Sequence, residues 1–148
     1  MKNDQLKTSG LVQFIKFGVV GVGNTAVDWI VYYILSGTIL SGEKSAAKAL
    51  SFLVAVANSY LWNTIWTFKK EYAELTASGK ENAKNLILIK FFVVSLIGWG
   101  INWLTFRYFL SSFNPTVMGK HDIMPLVFAS AAAIIWNFFA NKMWTYKK

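Results

Sequence analysis

The sequence predicts an all-α integral membrane protein, with four transmembrane helices arranged as two parallel tandem hairpin repeats and both termini cytoplasmic. Three observations predict it. Of the 148 residues, 55% are apolar and only 15% charged, well below the quarter typical of soluble domains, so hydrocarbon is the solvent this surface suits. Four apolar segments each approach or exceed the roughly 20 residues that a bilayer core demands. The second half of the chain also repeats the first.

The first apolar segment covers about 11–40, with Lys16 near its start and Asp28 inside it. It is too long for a signal h-region, and no A-x-A pattern follows it, so it reads as a retained helix. The second covers about 46–68 and contains Lys48 as its only charge. The third covers 86–110, where Lys90 and Arg107 bound a charge-free core and extend their heads outward. The fourth covers 123–144, uncharged between Asp122 and Lys142. The chain is thus one membrane domain, 1–148, made of repeat 1 (11–70), a polar cytoplasmic linker (71–85) and repeat 2 (86–148). The linker is expected to be partly helical at the membrane surface. Outer loops contain "SGTILSGEKS" and "SSFNPTVMGKHD", with a turn at Asn114-Pro115.

Orientation follows from the cations. Lys2, Lys7, Lys16, Lys69, Lys70, Lys80, Lys84, Lys90, Lys142, Lys147 and Lys148 fall on one side, against Lys44, Lys48, Arg107 and Lys120 on the other. Basic flanks face the cytoplasm, which makes this a multi-pass protein of the cytoplasmic (inner) membrane. The net charge of +8 does not indicate nucleic acid, because the lysines sit between apolar runs rather than along one soluble face. With no cysteine, disulfides, thiolate zinc sites and cysteine nucleophiles are excluded. His121 has no ligand companions, and there is neither a Ser-His-Asp set nor carboxylates paired at hydrolase spacing. A non-enzymatic protein without metal or cofactor is expected.

The stretch "GVVGVGNTAVDW" could pass for a phosphate-cradling loop. Its copy excludes that. "IKFGVVGVGNTAVDW" from Ile15 returns as "IKFFVVSLIGWGINW" from Ile89, where Gly18, Gly21 and Gly23 become Phe92, Ser95 and Ile97. A tight anion-binding turn would not tolerate those residues, whereas a packed helix would. Lys16 matches Lys90, Asp28 matches Asn102 and Trp29 matches Trp103. Likewise "SYLWNTIWTFKK" from Ser59 returns as "NFFANKMWTYKK" from Asn137, pairing Asn63 with Asn141 and Trp66 with Trp144. Two spans return the chain to its starting side, so the copies are parallel and related by an axis along the membrane normal.

The pattern Asn137-x-x-x-Asn141-Lys142-x-Trp144-x-Tyr146 resembles the closing motif of GtrA-like membrane proteins, and "FIKFGVVGVGNTAVDW" resembles their opening motif. The resemblance covers essentially the whole chain. It implies a role in glycosylating cell-surface polysaccharides such as wall teichoic acid or O-antigen, by moving a polyprenyl-phosphate-linked sugar across the cytoplasmic membrane. The first copy departs from the closing motif, with Ser59 in place of Asn137 and Thr64 in place of Lys142, so the halves are expected to do different work.

Candidate substrate-binding residues follow from chemistry in hydrocarbon. An ionised Asp28 needs a partner or water there. It lies about 18 Å beyond Lys16 along a helix, with Asn24 one turn before it. Its structural reading is an ion pair with Lys48 or Arg107. A stripe of Lys48, Ser51, Ala55, Ser59, Trp62 or Asn63, and Trp66 in helix two is echoed by Ser130, Ala133, Asn137, Asn141 and Trp144 in helix four. Asn58, Asn63, Asn102, Asn137 and Asn141 are either interhelical hydrogen-bonding glue or a groove lining for sugar hydroxyls and phosphate oxygens. Lys16, Lys90, Lys142 and Arg107 offer cations to a lipid phosphate at both ends, beside the ordinary anchoring role of basic flanks. Trp66 and Trp144 belong to the interfacial aromatic belt or stack on a sugar. The expected partners are a polyprenyl-phosphate sugar lipid, membrane lipids and further copies of the chain, since four helices make a thin wall. Two alternatives remain: an accessory subunit of a membrane glycosyltransferase, and a small proton-coupled exporter of soluble compounds working through Asp28.

Overall fold

The computed structural model of the chain describes residues 2–77, 82–112 and 123–147. The chain forms two compact units, 1–79 and 80–148. In the first, α1 (Lys2–Gly37) is followed by α2 (Lys44–Trp62), which runs into a π-helical turn (Asn63–Thr67), and by the short α3 (Lys69–Ala77). In the second, α4 (Ala83–Ser112) is followed by α5 (Ile123–Ala140), which runs into a π-helical turn of its own (Asn141–Thr145). No strand occurs among the described residues. The glycine-rich stretch of the first half is helical throughout.

Each unit is built on a pair of helices. α2 buries Ala47, Ser51 and Ala55, one residue per turn and all small, so its backbone approaches α1 closely. α1 meets that face with Asp28, which accepts from Ser51, and buries Phe17 and Val20 further back, the Phe17 ring edge-on to Phe68. Its last turn is closed by Leu40, whose N–H donates to the Leu35 carbonyl at 2.9 Å. In the second unit α4 buries Ile87, Phe91, Val94 and Gly98. Trp136 Nε1 donates to the Val94 carbonyl at 3.2 Å, and the Phe109 and Phe128 rings stack at 4.5 Å. Most other large side chains face outward: Trp29 and Tyr33 are 62% and 70% exposed. Such a surface suits lipid and would be an aggregation liability in water.

One expectation is met in part and two change. Three helical stretches are long and apolar enough to cross a membrane, Gly10–Gly37, Ala83–Ser112 and Met124–Thr145. The α2 segment is not among them, because Lys44, Lys48, Ser51, Asn58 and Ser59 dilute it. The first helix begins at Lys2 and ends at Gly37, three residues short of the expected end, where residues 38–42 form turns. In α5, Ser130 is exposed and Ala129 fully buried. The inner row of α5 includes Pro125 and Ala129, four apart, so Ser130 falls off it. Asn114-Pro115, Lys120 and His121 lie outside the described residues, as does Lys80.

Gly98 is required for close approach. A Cβ there would come within 2.7 Å of Asn137 Cγ. Gly98→Val should therefore destabilise the second unit by about 1–3 kcal/mol through overpacking, read as a lower unfolding midpoint in detergent. Gly23→Ala, whose Cβ meets open space, should leave the midpoint unchanged or raise it.

Candidate functional site along the α1–α2 groove

The face of α1 turned toward α2 reads Phe17, Val20, Asn24 and Asp28, at helical three- and four-residue spacing. The apolar pair gives way to a polar one. Asn24 Oδ1 accepts a hydrogen bond from Asn58 Nδ2 at 2.7 Å. One turn on, the two oxygens of Asp28 have separate partners: Oδ1 accepts from the fully buried Ser51 hydroxyl at 2.7 Å, and Oδ2 pairs with the Lys48 ammonium. The Asp28 side chain is 19% exposed and that of Lys48 55%. The Lys48 ammonium also stands 6.0 Å from the Tyr32 ring. At the opposite end, the Lys16 ammonium lies 5.3 Å over the Trp66 ring.

Between these ends runs a groove of about 520 Å³. Val19, Val20, Gly23 and Val27 of α1 line one side; Asn58 and Trp62 of α2, with Ile65 and Trp66 of the π turn, line the other. Its walls are apolar apart from the Asn58 amide. The Asn24–Asn58 and Asp28–Ser51–Lys48 contacts therefore form a polar edge beside a surface fit for hydrocarbon. α3 folds back here too, with Gln13 Nε2 donating to Glu71 Oε1 at 2.6 Å.

Both π turns share the pattern Asn-x-x-Trp-Thr, followed by an aromatic residue and two lysines. The carbonyls of Asn63 and Asn141 each accept from the amide five residues on, Phe68 at 2.7 Å and Tyr146 at 2.8 Å. The asparagine side chains reach back one turn: Nδ2 of Asn63 donates to the Ser59 carbonyl at 2.9 Å and Nδ2 of Asn141 to that of Asn137 at 2.8 Å. Widened turns of this kind recur at functional sites. The side-chain oxygens of Asn63, Thr67, Asn141 and Thr145 are buried without a hydrogen-bond partner among the described residues. The lysine–tryptophan contact recurs as well, with Lys90 at 5.5 Å from the Trp144 ring and 3.4 Å from its carbonyl oxygen.

The polar edge does not recur. In the copy, Asn24, Asp28, Lys48, Ser51 and Asn58 are replaced by Gly98, Asn102, Leu126, Ala129 and Trp136. Asn137 instead fills the space over Gly98, and Asn102 is half-buried on α4. Arg107 is exposed, with its guanidinium 5.1 Å over the Trp103 ring one turn away. The Lys142 ammonium lies 5.4 Å from the Phe138 ring. The structure thus brings together Asp28, Lys48, Asn24 and Asn58 in the first unit, and Lys16 with Trp66. Sequence reasoning missed Tyr32, the groove beside Gly23 and the Gln13–Glu71 contact, which joins residues 58 apart. Among the described residues no group of three or more metal-ligating side chains occurs.

A family model for the GtrA/DPMS transmembrane domain matches residues 16–146. The chain belongs to that family. Two similar proteins come from Bacillus subtilis (strain 168). "Uncharacterized membrane protein YngA" is 27% identical over 143 residues, spanning 97% of this chain and 82% of the relative. "Uncharacterized membrane protein YwcD" is 24% identical over 130 residues, spanning 88% and 93%. No solved structure matches. Membership of the GtrA/DPMS family ties the chain to the membrane chemistry of lipid-linked sugars.

Proposed function

We propose that the protein translocates a polyprenyl-phosphate-linked monosaccharide across the cytoplasmic membrane, supplying sugar for cell-surface polysaccharide or teichoic acid glycosylation. The observation that carries this reading is the pairing of an apolar groove with a polar edge along one helix seam. A phosphosugar head cannot cross hydrocarbon unaided, whereas its polyprenyl tail is at home there. The edge offers amides and charges to the head at successive turns of α1, and the groove takes the first isoprene units. Lys16 over Trp66 receives the phosphate at the cytoplasmic end.

In this reading α2 is the fourth span. Its low apolarity is no obstacle, because Lys48, Ser51 and Asn58 all turn their polar groups onto α1, and polar groups that face a neighbouring helix are the ones hydrocarbon tolerates. The two helix pairs are then tandem parallel hairpins with both termini cytoplasmic, and copies of the chain associate to thicken the wall. Arg107, exposed over Trp103, is a second phosphate-binding cation on the outer side.

The test is reconstitution into liposomes, measuring outward exposure of a labelled polyprenyl-phosphate sugar. Wild type should expose the label far faster than protein-free liposomes, and Lys16→Ala should slow this by about ten-fold, the weight of one charge-assisted phosphate contact. Equal rates with and without protein would defeat the proposal.

A further inference from the structure

We infer that Lys48 is an exchangeable phosphate-binding station at the far end of the groove, and that Asp28 is its built-in competitor. The inference rests on the translocation reading and names how the head group is released.

Four observations carry it. First, the two members of the pair differ in access: the Lys48 side chain is 55% exposed and the Asp28 side chain 19%, so an incoming anion reaches the ammonium and not the carboxylate. Second, Asp28 has a partner besides the Lys48 ammonium: its other oxygen faces the Ser51 hydroxyl at 2.7 Å, which stands 2.9 Å from the Lys48 carbonyl as well, so the carboxylate keeps a neighbour on the α2 backbone turn while the lysine side chain swings. Third, the groove reaches Val27 on α1, the residue before Asp28, and Asn58 on α2, so a lipid lying in it with its head toward this end meets the polar edge on which the pair is the next step. Fourth, the cluster is not needed to build such a helix pair. The copy pairs α4 with α5 while carrying Asn102, Leu126 and Ala129 at the matching positions, so the charges serve something other than holding two helices together.

The mechanism is charge exchange. A lysine fixed permanently to a carboxylate could not bind phosphate, and a lysine without one would bind phosphate and keep it. With Asp28 in reach, the ammonium passes from carboxylate to phosphate and back; while it is on the phosphate, the Asp28 carboxylate keeps only the Ser51 hydroxyl, and the cost of that unpaired charge in a partly desolvated site draws the lysine back. The Tyr32 ring, 6.0 Å from the ammonium, offers the cation a resting face between partners.

The experiment uses the full chain in nanodiscs, with geranyl phosphate as a short lipid probe and inorganic phosphate as a second ligand. Asp28→Asn installs the residue found in the copy and should tighten geranyl phosphate by about three- to ten-fold, allowing for solvent screening at the half-exposed lysine. Lys48→Gln should weaken it by a similar factor, and Lys48→Arg should restore it. In the liposome assay Asp28→Asn should lower both the half-saturating lipid concentration and the maximal rate, since release has lost its competitor. Inorganic phosphate should bind much more weakly than geranyl phosphate, because only the latter occupies the groove. If both variants weaken binding, or neither changes it, while wild type still binds and transports, the exchange idea is overturned and the translocation reading stands. Equal affinity for inorganic phosphate overturns the lipid assignment. If wild type neither binds geranyl phosphate nor transports, both fall. Should Asp28→Asn fail to fold, the contrast between Lys48→Gln and Lys48→Arg on an intact Asp28 still tests the phosphate station, and Ser51→Ala, which leaves the carboxylate more dependent on Lys48, should weaken geranyl phosphate binding if Asp28 competes and leave it unchanged if it does not.

Discussion

Gly23→Leu is expected to block translocation while leaving the protein folded. Gly23 lines the groove, and a Cβ built on it meets nothing within 4 Å. A leucine there has room for its Cβ and extends from it into the space assigned to the lipid. The change also replaces a helix-interior glycine with a good helix former, worth up to about 1 kcal/mol in favour of the fold. Forcing a lipid chain into the narrowed groove costs roughly 1–3 kcal/mol, about a ten- to hundred-fold loss of rate. The liposome assay reads the loss, and thermal unfolding in detergent reads the retained stability. Gly18→Leu is the matched control, since its Cβ also meets open space and Gly18 is outside the groove lining. Loss at Gly23 with retention at Gly18 ties transport to the groove. Equal retention at both would detach it.

This contrast between glycines shows what the sequence discloses. That Gly18, Gly21 and Gly23 lie on a helix was legible, because their copies are Phe92, Ser95 and Ile97 and only a helix accepts both sets. The inward face of α1 was legible too: Asn24 and Asp28 stand one turn apart, and Lys48 sits where an ion pair can reach. Which glycine admits a side chain was not legible, since it depends on the opposing residue. Gly98 faces Asn137 and Gly23 faces open space. The π turns were also hidden. Residues 63–67 and 141–145 keep an ordinary helical pattern of apolar and aromatic residues, and the extra residue per turn shows only in bonds from Phe68 and Tyr146 to carbonyls five positions back. In hindsight the shared Asn-x-x-Trp-Thr pattern was the signal. Its asparagine adds a side-chain donor to the carbonyl one turn back, and its tryptophan lies close to a lysine of the partner helix.

The residue that follows each π turn should carry the largest stability effect in its unit. Phe68 is fully buried and meets Phe17 edge-on at 6.2 Å; Tyr146 is buried likewise and meets Phe91 at 6.5 Å. Both backbone amides close the widened turn, so each ring sits where the turn is held against the first helix of its pair. Phe68→Ala and Tyr146→Ala should each cost about 3–5 kcal/mol, the range for emptying a buried aromatic site. In lipid the loss is mainly one of packing, because truncation removes contacts that hydrocarbon cannot refill inside the fold. Phe68→Tyr, which borrows the residue of the other copy, should cost less than the truncation, about 1–3 kcal/mol, because it keeps the ring but adds a hydroxyl to a fully buried site. Reversible unfolding in detergent measures all three. A large loss in both alanine variants with a smaller one in Phe68→Tyr identifies the ring and its edge-on contact as what fixes the turn, and with it the placement of Trp66 beside Lys16. If Phe68→Ala costs less than about 1 kcal/mol, the turn is held by its backbone bonds alone, and the lysine–tryptophan contact at the mouth of the groove does not depend on the aromatic pair behind it.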